Sequence, residues 1–146
     1  MKIVADTNIL VSAALWGHGQ PRRILELAMQ RKLKIGVSRA LYDEFCSTLT
    51  YHKFKTRMRK ERTNVRDVKT HVSPFLTFVR RTSSLPSVCK ESMDNEVLAC
   101  AVDFKADCLI SGDKDILESG EGFQNIPILT ATAFLEKYFP DRLTTK

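Results

Sequence analysis

Short apolar runs alternate along this chain with longer stretches whose apolar residues recur at helical spacing. The runs are Ile3-Val4-Ala5, Leu33 to Val37, Cys108-Leu109-Ile110 and Ile128-Leu129, and each ends at a turn or helix-cap residue. They lack apolar/polar alternation, as strands do when a parallel sheet buries them on both faces. Helices are predicted from Ile9 to Trp16, through Ile24-Leu25-Leu27-Ala28 after Pro21, and through Leu41-Phe45-Leu49 after Ser38. Two more are predicted through Val97-Leu98-Ala101-Val102 after Asp94 and Phe134-Leu135-Tyr138 after Thr130. Strands alternating with helices of this length imply βαβ units and an α/β fold, its mostly parallel sheet covered by helices on both faces.

The middle of the chain departs from this pattern. From about Tyr51 to Arg81 no strand is predicted, and Val68, Val72, Phe75, Leu76 and Val79 form a helical stripe. Pro74 must kink or restart that helix, because proline lacks an amide donor and clashes with the preceding turn. Residues 51–81 therefore read as a helical insertion beside the sheet, and Thr82-Ser83-Ser84 before Leu85-Pro86 as a loop. The length of 146 residues fits one domain, 1–146, that buries roughly 68–70% of its unfolded surface.

Charge sharpens the reading of the insertion. Between Lys53 and Lys69 stand Lys53, Lys55, Arg57, Arg59, Lys60, Arg62, Arg66 and Lys69, opposed by Glu61 and Asp67 alone, so this stretch carries the whole net charge of +6. A cationic lobe on a balanced body fits a polyanion, because neutralised phosphates supply most sequence-independent affinity for nucleic acid. A solvated helical face is the plainer alternative. Phe54, within the lobe, is either a base-stacking group or an anchor of its helix to the core.

Cysteine and histidine exclude other chemistry. Cys46, Cys89, Cys100 and Cys108 form no CxxC pair, and His18, His52 and His71 are scattered, which leaves little support for a zinc site or a Ser-His-Asp triad. The thiols read as small apolar residues of a reducing cytoplasm. No charged-then-apolar leader is seen and no apolar run approaches the roughly 18 residues of a membrane span, so a cytoplasmic protein without a membrane partner is expected.

Four acids stand out by position. Asp6 ends the first strand, Glu44 lies on the helix after the second, Asp94 opens the helix beginning Asn95-Glu96-Val97, and Asp113 comes after the strand Cys108 to Ile110. In a parallel sheet all four reach its C-terminal edge, where open α/β folds bind ligands. Each has a plainer alternative: Asp6 and Asp94 as helix caps, Glu44 as an exposed glutamate, Asp113 and Asp115 as turn residues. Asp103 and Asp107 are left with such roles. Ionised carboxylates at ~5 Å and an effective dielectric of ~20 repel by roughly 3 kcal/mol per pair, so a shared pocket needs positive charge. Hard oxygen ligands without histidine or thiolate select Mg²⁺ or Mn²⁺.

These residues carry a resemblance that spans nearly the whole chain. Val4-Ala5-Asp6-Thr7-Asn8-Ile9-Leu10, the Glu44 helix, Met93 to Ala99, Ala106 to Leu117 and Ile128 to Leu135 together resemble the PIN domain, specifically its VapC-like bacterial branch of toxin-antitoxin ribonucleases. The resemblance implies a three-layer α/β/α fold with about five parallel strands in the order 3-2-1-4-5. It also implies a divalent-metal-dependent ribonuclease in which Asp6, Glu44, Asp94 and Asp113 match the family's acids and Asn8 and Ser111 its polar supporting positions. Asp115 competes with Asp113 as metal ligand. Ser92 and Met93 replace a proline and an acid that many relatives carry there.

The implied reaction is hydrolysis of RNA phosphodiesters with Mg²⁺ or Mn²⁺ as cofactor. Lys53, Lys55, Arg57, Arg59, Lys60 and Arg62 would hold the RNA backbone, and Lys114 is a phosphate contact or a solvated lysine. An antitoxin and a second copy of the chain are the other partners considered, with Trp16 or the Phe75 to Val79 stripe as interface or as core. The alternatives are a non-catalytic RNA-binding module and a housekeeping RNA-processing nuclease. Phosphoryl transfer to aspartate fits poorly, because Asn8 stands where a second Asp is needed and the last strand end offers no lysine. A dinucleotide-binding fold lacks its glycine fingerprint, since Gly17 and Gly19 come after a helix.

Overall fold

The computed structural model describes residues 1–84, 92–117 and 124–140, with Ser92 and Asp115 by backbone only. Leu85, Pro86 and Cys89, which sequence reading placed in a loop and among the thiols, lie outside the described residues. Five strands form one parallel sheet: β1 Lys2–Ala5, β2 Lys34–Val37, β3 Leu76–Phe78, β4 Cys108–Ile110 and β5 Ile128–Leu129. Their order is β3-β2-β1-β4-β5, with β1 at the centre. Register places Ile3 opposite Ile35 on one side and Cys108 on the other. Ile3, Val4 and Ala5 are buried on both faces, which is why the strand shows no alternation.

Helices flank this sheet in the α/β/α manner. They are α1 Thr7–Leu15, α2 Gln20–Met29, α3 Arg39–Thr48, α4 His52–Lys60, α5 Val65–Val72, α6 Ser92–Phe104, α7 Lys114–Leu117 and α8 Ala131–Tyr138. Strand leads to helix through a single capping residue three times. Asp6 accepts from the Ile9 amide at 2.9 Å, Ser38 from Leu41 at 3.3 Å and Thr130 from Ala133 at 3.0 Å. Such caps are each worth about 0.5–2 kcal/mol, and they set the starts of α1, α3 and α8 at the same sheet edge. Against β1, β2 and β4 packs α6. Gly36 permits it, because a Cβ on β2 at this point would lie within 3.0 Å of the Phe104 ring.

The stretch expected to be helical as far as Arg81 holds the third strand instead. Helix α5 ends at Val72, Ser73–Phe75 form one 3-10 turn around Pro74, and Leu76 begins β3. Proline stops the helix as expected, but the residues after the turn pair with β2 rather than restarting it. Leu76 lies opposite Ile35, and the Val79 amide donates to the Val37 carbonyl at 2.9 Å. The apolar positions that imitate a helical period are explained by this edge, where Leu76 is buried and Phe78 is 55% exposed. Among the described residues no helix is long and apolar enough to cross a membrane.

Candidate active site

The four acids meet at the C-terminal edge of the sheet. Asp6, Glu44, Asp94 and Asp113 all line one cavity of about 260 Å³, together with Thr7, Asn8, Thr48, Tyr51, Met93 and Val97. Four elements deliver them: the end of β1, the middle of α3, the first turn of α6 and the loop after β4. Asp94 is the third residue of α6, inside its first turn rather than its cap. The positive end of the helix dipole favours the ionised form of a carboxylate placed there.

Asp6 both caps a helix and lines the cavity. One carboxylate oxygen caps α1 through the Ile9 amide, and the other accepts from the hydroxyl of Ser111, which is wholly buried. The same hydroxyl accepts from the Asp113 amide at 2.9 Å, so Ser111 ties the ends of β1 and β4 together. Burial pushes the Asp6 carboxyl above its ordinary pKa, and the charge of Asp113 adds to the rise. The hydrogen bonds from Ser111, Ile9 and Gly112 oppose that rise without cancelling it.

The other residues predicted from sequence take varied places around this centre. Glu44 is half-buried and accepts a long hydrogen bond from Thr48 at 3.5 Å, while neighbouring Asp43 faces elsewhere and pairs with Arg39. Asn8 is exposed on the cavity wall. Asp113 is half-buried and accepts from the Ile116 amide at 3.3 Å. Asp115 belongs to α7, but its side chain lies outside the described residues. Lys114 is exposed. Asp107 takes a hydrogen bond from the Lys2 amide at the start of β1, away from the cavity.

Chemically the described residues of the cavity wall offer carboxylate, amide and hydroxyl oxygens and no imidazole or thiolate, the donor set for a hard divalent cation. Among the described residues no three acidic, imidazole or thiolate side chains are gathered tightly enough to grip one ion as they stand. Mg²⁺ does not require that, since it keeps several waters and binds through one or two carboxylates. The donor set therefore fits such an ion.

In the basic lobe, Lys53, Lys55, Arg59, Lys60 and Arg62 are exposed. Arg57 is committed within the fold: it donates to the Leu15 carbonyl at 3.1 Å, pairs with Glu61 at 3.2 Å and lies 4.9 Å over the Trp16 ring. Phe54 meets Trp16 edge-on at 6.3 Å, so it is the anchor of α4. Trp16 itself packs half-buried against the core.

Sequence reading missed two features. Thr48 and Tyr51 line the cavity, and Thr48 stands one helical turn beyond Glu44, a spacing that could have revealed it. Arg81 also escaped notice. It reaches Glu96 at 3.1 Å and Asp103 at 3.2 Å, binding the exit of β3 to α6, and nothing in the local sequence signals it.

A parallel sheet under helices, with a carboxylate-lined cavity at the C-terminal edge beside its central strand, defines an α/β/α protein with an acidic site. The chain belongs to the PIN domain family, whose model matches residues 2–115. That family is a nuclease fold, generally metal-dependent and acting on nucleic acids. A relative in Methanocaldococcus jannaschii, the uncharacterized protein MJ1680, is 28% identical over 123 residues, covering 80% of this chain and 74% of that protein. No solved structure matches the chain significantly.

Proposed function

We infer that this protein is a divalent-metal-dependent endoribonuclease, the toxin component of a toxin-antitoxin system acting in the cytoplasm. The observation that carries the reading is the meeting of Asp6, Glu44, Asp94 and Asp113 around one cavity within a PIN domain. The whole chain acts as one nuclease domain, with α4 and α5 as its cationic lobe. Asp6, Asp94 and Asp113 would hold Mg²⁺ or Mn²⁺, with Glu44 direct or through water and Asp115 as a further ligand. Such an ion supplies charge to the scissile phosphate and lowers the pKa of a bound water.

The chain's own groups prepare that chemistry. Ser111 and the Ile9 amide hold both oxygens of Asp6 in place before any ligand arrives, the kind of outer support that tunes metal affinity. Asn8, on the cavity wall, would orient a neighbouring carboxylate. Lys53, Lys55, Arg59, Lys60 and Arg62 bind the RNA backbone, and Arg57 supports them by fixing α4 to α1.

Purified protein with Mn²⁺ is expected to cleave single-stranded RNA. Asp6→Asn and Asp94→Asn are each expected to slow cleavage at least ~100-fold, the scale on which preorganised electrostatic groups act. Binding of RNA should persist in both, which a filter-binding assay measures. Full activity in either variant, or in EDTA, overturns the mechanism; binding without cleavage in the unmodified protein makes it an RNA-binding module. Growth arrest on expression, relieved by Asp94→Asn, separates toxin from housekeeping nuclease.

A further inference from the structure

Among the described residues the large apolar or aromatic side chains left exposed are Met1, Tyr51 and Phe78. Tyr51 alone of these lines the acidic cavity, beside Glu44 and Thr48. Its backbone is held on both sides. The amide donates to the Thr48 carbonyl at 3.0 Å, and the carbonyl accepts from the Phe54 and Lys55 amides at 2.9 and 3.1 Å. The residue, by contrast, is 50% exposed, and among the described residues its ring makes no ring contact and its hydroxyl no hydrogen bond. Phe54 cannot play an open aromatic role, since its ring is turned onto Trp16.

An aromatic ring on a rigid mount, set in the wall of a carboxylate cavity with the exposed cations Lys53 and Lys55 close behind it in the chain, matches the parts of a nucleotide. The acids and their cation take the phosphate, the lysines the neighbouring backbone, and the ring the face of a base. Only an unpaired base exposes that face, because in a duplex it is covered by its stacked neighbours. We propose that Tyr51 is the nucleobase platform of the cavity, stacking on one unpaired base next to the bound phosphate and so selecting single-stranded RNA. This rests on the nuclease reading for the identity of the phosphate, while the stacking itself is measurable without cleavage.

The test uses a short RNA carrying 2-aminopurine, whose fluorescence falls when it stacks, titrated with protein in EDTA and compared with Tyr51→Phe, Tyr51→Leu and Tyr51→Ala. A stacked base is worth about 1–3 kcal/mol, so Tyr51→Ala should bind single strands about 5- to 150-fold more weakly. Quenching at one position along the RNA should vanish in Tyr51→Ala and Tyr51→Leu and survive in Tyr51→Phe. With Mn²⁺, the preference for single strand over duplex should shrink by the same factor. Equal quenching and equal affinity in Tyr51→Ala, in a protein that cleaves, overturns the platform alone. Quenching that depends on Tyr51 without cleavage overturns the nuclease and upholds the platform, and absence of RNA binding both in EDTA and with Mn²⁺ overturns both.

Discussion

Asp6 and Asp103 both have covered carboxylates: Asp6 is buried, and Asp103, half-buried as a residue, has a side chain 4% exposed. Burial pushes both carboxyls up, yet only Asp6 stays there. At Asp103 that push is overruled by the Thr82 and Ser83 amides, the Ser83 hydroxyl and the Arg81 guanidinium, which bring it from 3.8 down to about 2. Asp6 has hydrogen bonds as well, but its charged neighbour is another acid, Asp113. Shielding alone thus does not decide what a buried acid does. A carboxylate surrounded by donors locks two elements together, here β3 and α6, whereas one facing its own kind is left with negative charge that a cation can satisfy.

The largest effect that tests this contrast is cation binding. Mn²⁺ at a hundredfold excess over its dissociation constant should stabilise the protein by about 2.7 kcal/mol, read as a rise in Tm. Asp94→Asn should lose most of that rise, while Asp103→Ala should retain it. A rise of the same size in Asp94→Asn would remove the acids of the cavity from cation binding.

Next comes Asp103→Ala, expected to cost about 2 kcal/mol of stability, since it strips hydrogen bonds to a charged group and leaves Arg81 short of a partner. Thermal unfolding should shift down by about 4–8 °C. An unchanged Tm would mean that the pairing of β3 with β2 holds this edge without the Arg81 cluster.

The smallest effect is the sign of the pH dependence. The lowered pKa of Asp103 means that its stabilisation is fully present above 3.8 and is lost as pH falls toward about 2, so the gap between the unmodified protein and Asp103→Asn should close over that window. Asp6 works in reverse. Its raised folded pKa lets the folded chain keep a proton that the unfolded chain gives up, an advantage lost as pH rises from 3.8 through the folded value. In EDTA near neutral pH, Asp6→Asn should therefore be the more stable protein, read as a higher Tm. Differential scanning fluorimetry across pH 2–8 reads both slopes, and parallel slopes would erase the distinction between the two acids.

Much of the architecture was legible in local pattern. Four strands and the flanking helices α1, α2, α3 and α8 stood where apolar period and caps placed them, while α6 begins two residues ahead of the Asp94 expected to open it. Several helix ends were less legible. Arg31, Arg62 and Lys105, just beyond α2, α4 and α6, take positive φ of 60°, 56° and 56°, a role for which glycine is the usual marker. A basic residue there complements the negative end of the helix dipole, but sequence reading has no rule that singles it out. At the site, the convergence of four acids was legible because each comes after a strand or sits on the helix next to one. The Asp103 cluster was not, since its partners come from Arg81 to Ser83, some twenty residues away.

By itself the sequence determined the βαβ alternation, the placement of acids at one edge and the cationic stretch, because each depends on spacing within one element or on the step from strand to cap. Tertiary structure alone decided three things. It made Leu76–Phe78 a strand, because the free edge of β2 offered hydrogen bonds that a three-residue segment cannot supply for itself. It sorted the cations, turning Arg57 inward onto Leu15 and Trp16 while leaving its neighbours in solvent. It also gave two shielded aspartates opposite characters, because a carboxylate's pKa depends on which donors and charges the fold brings to it.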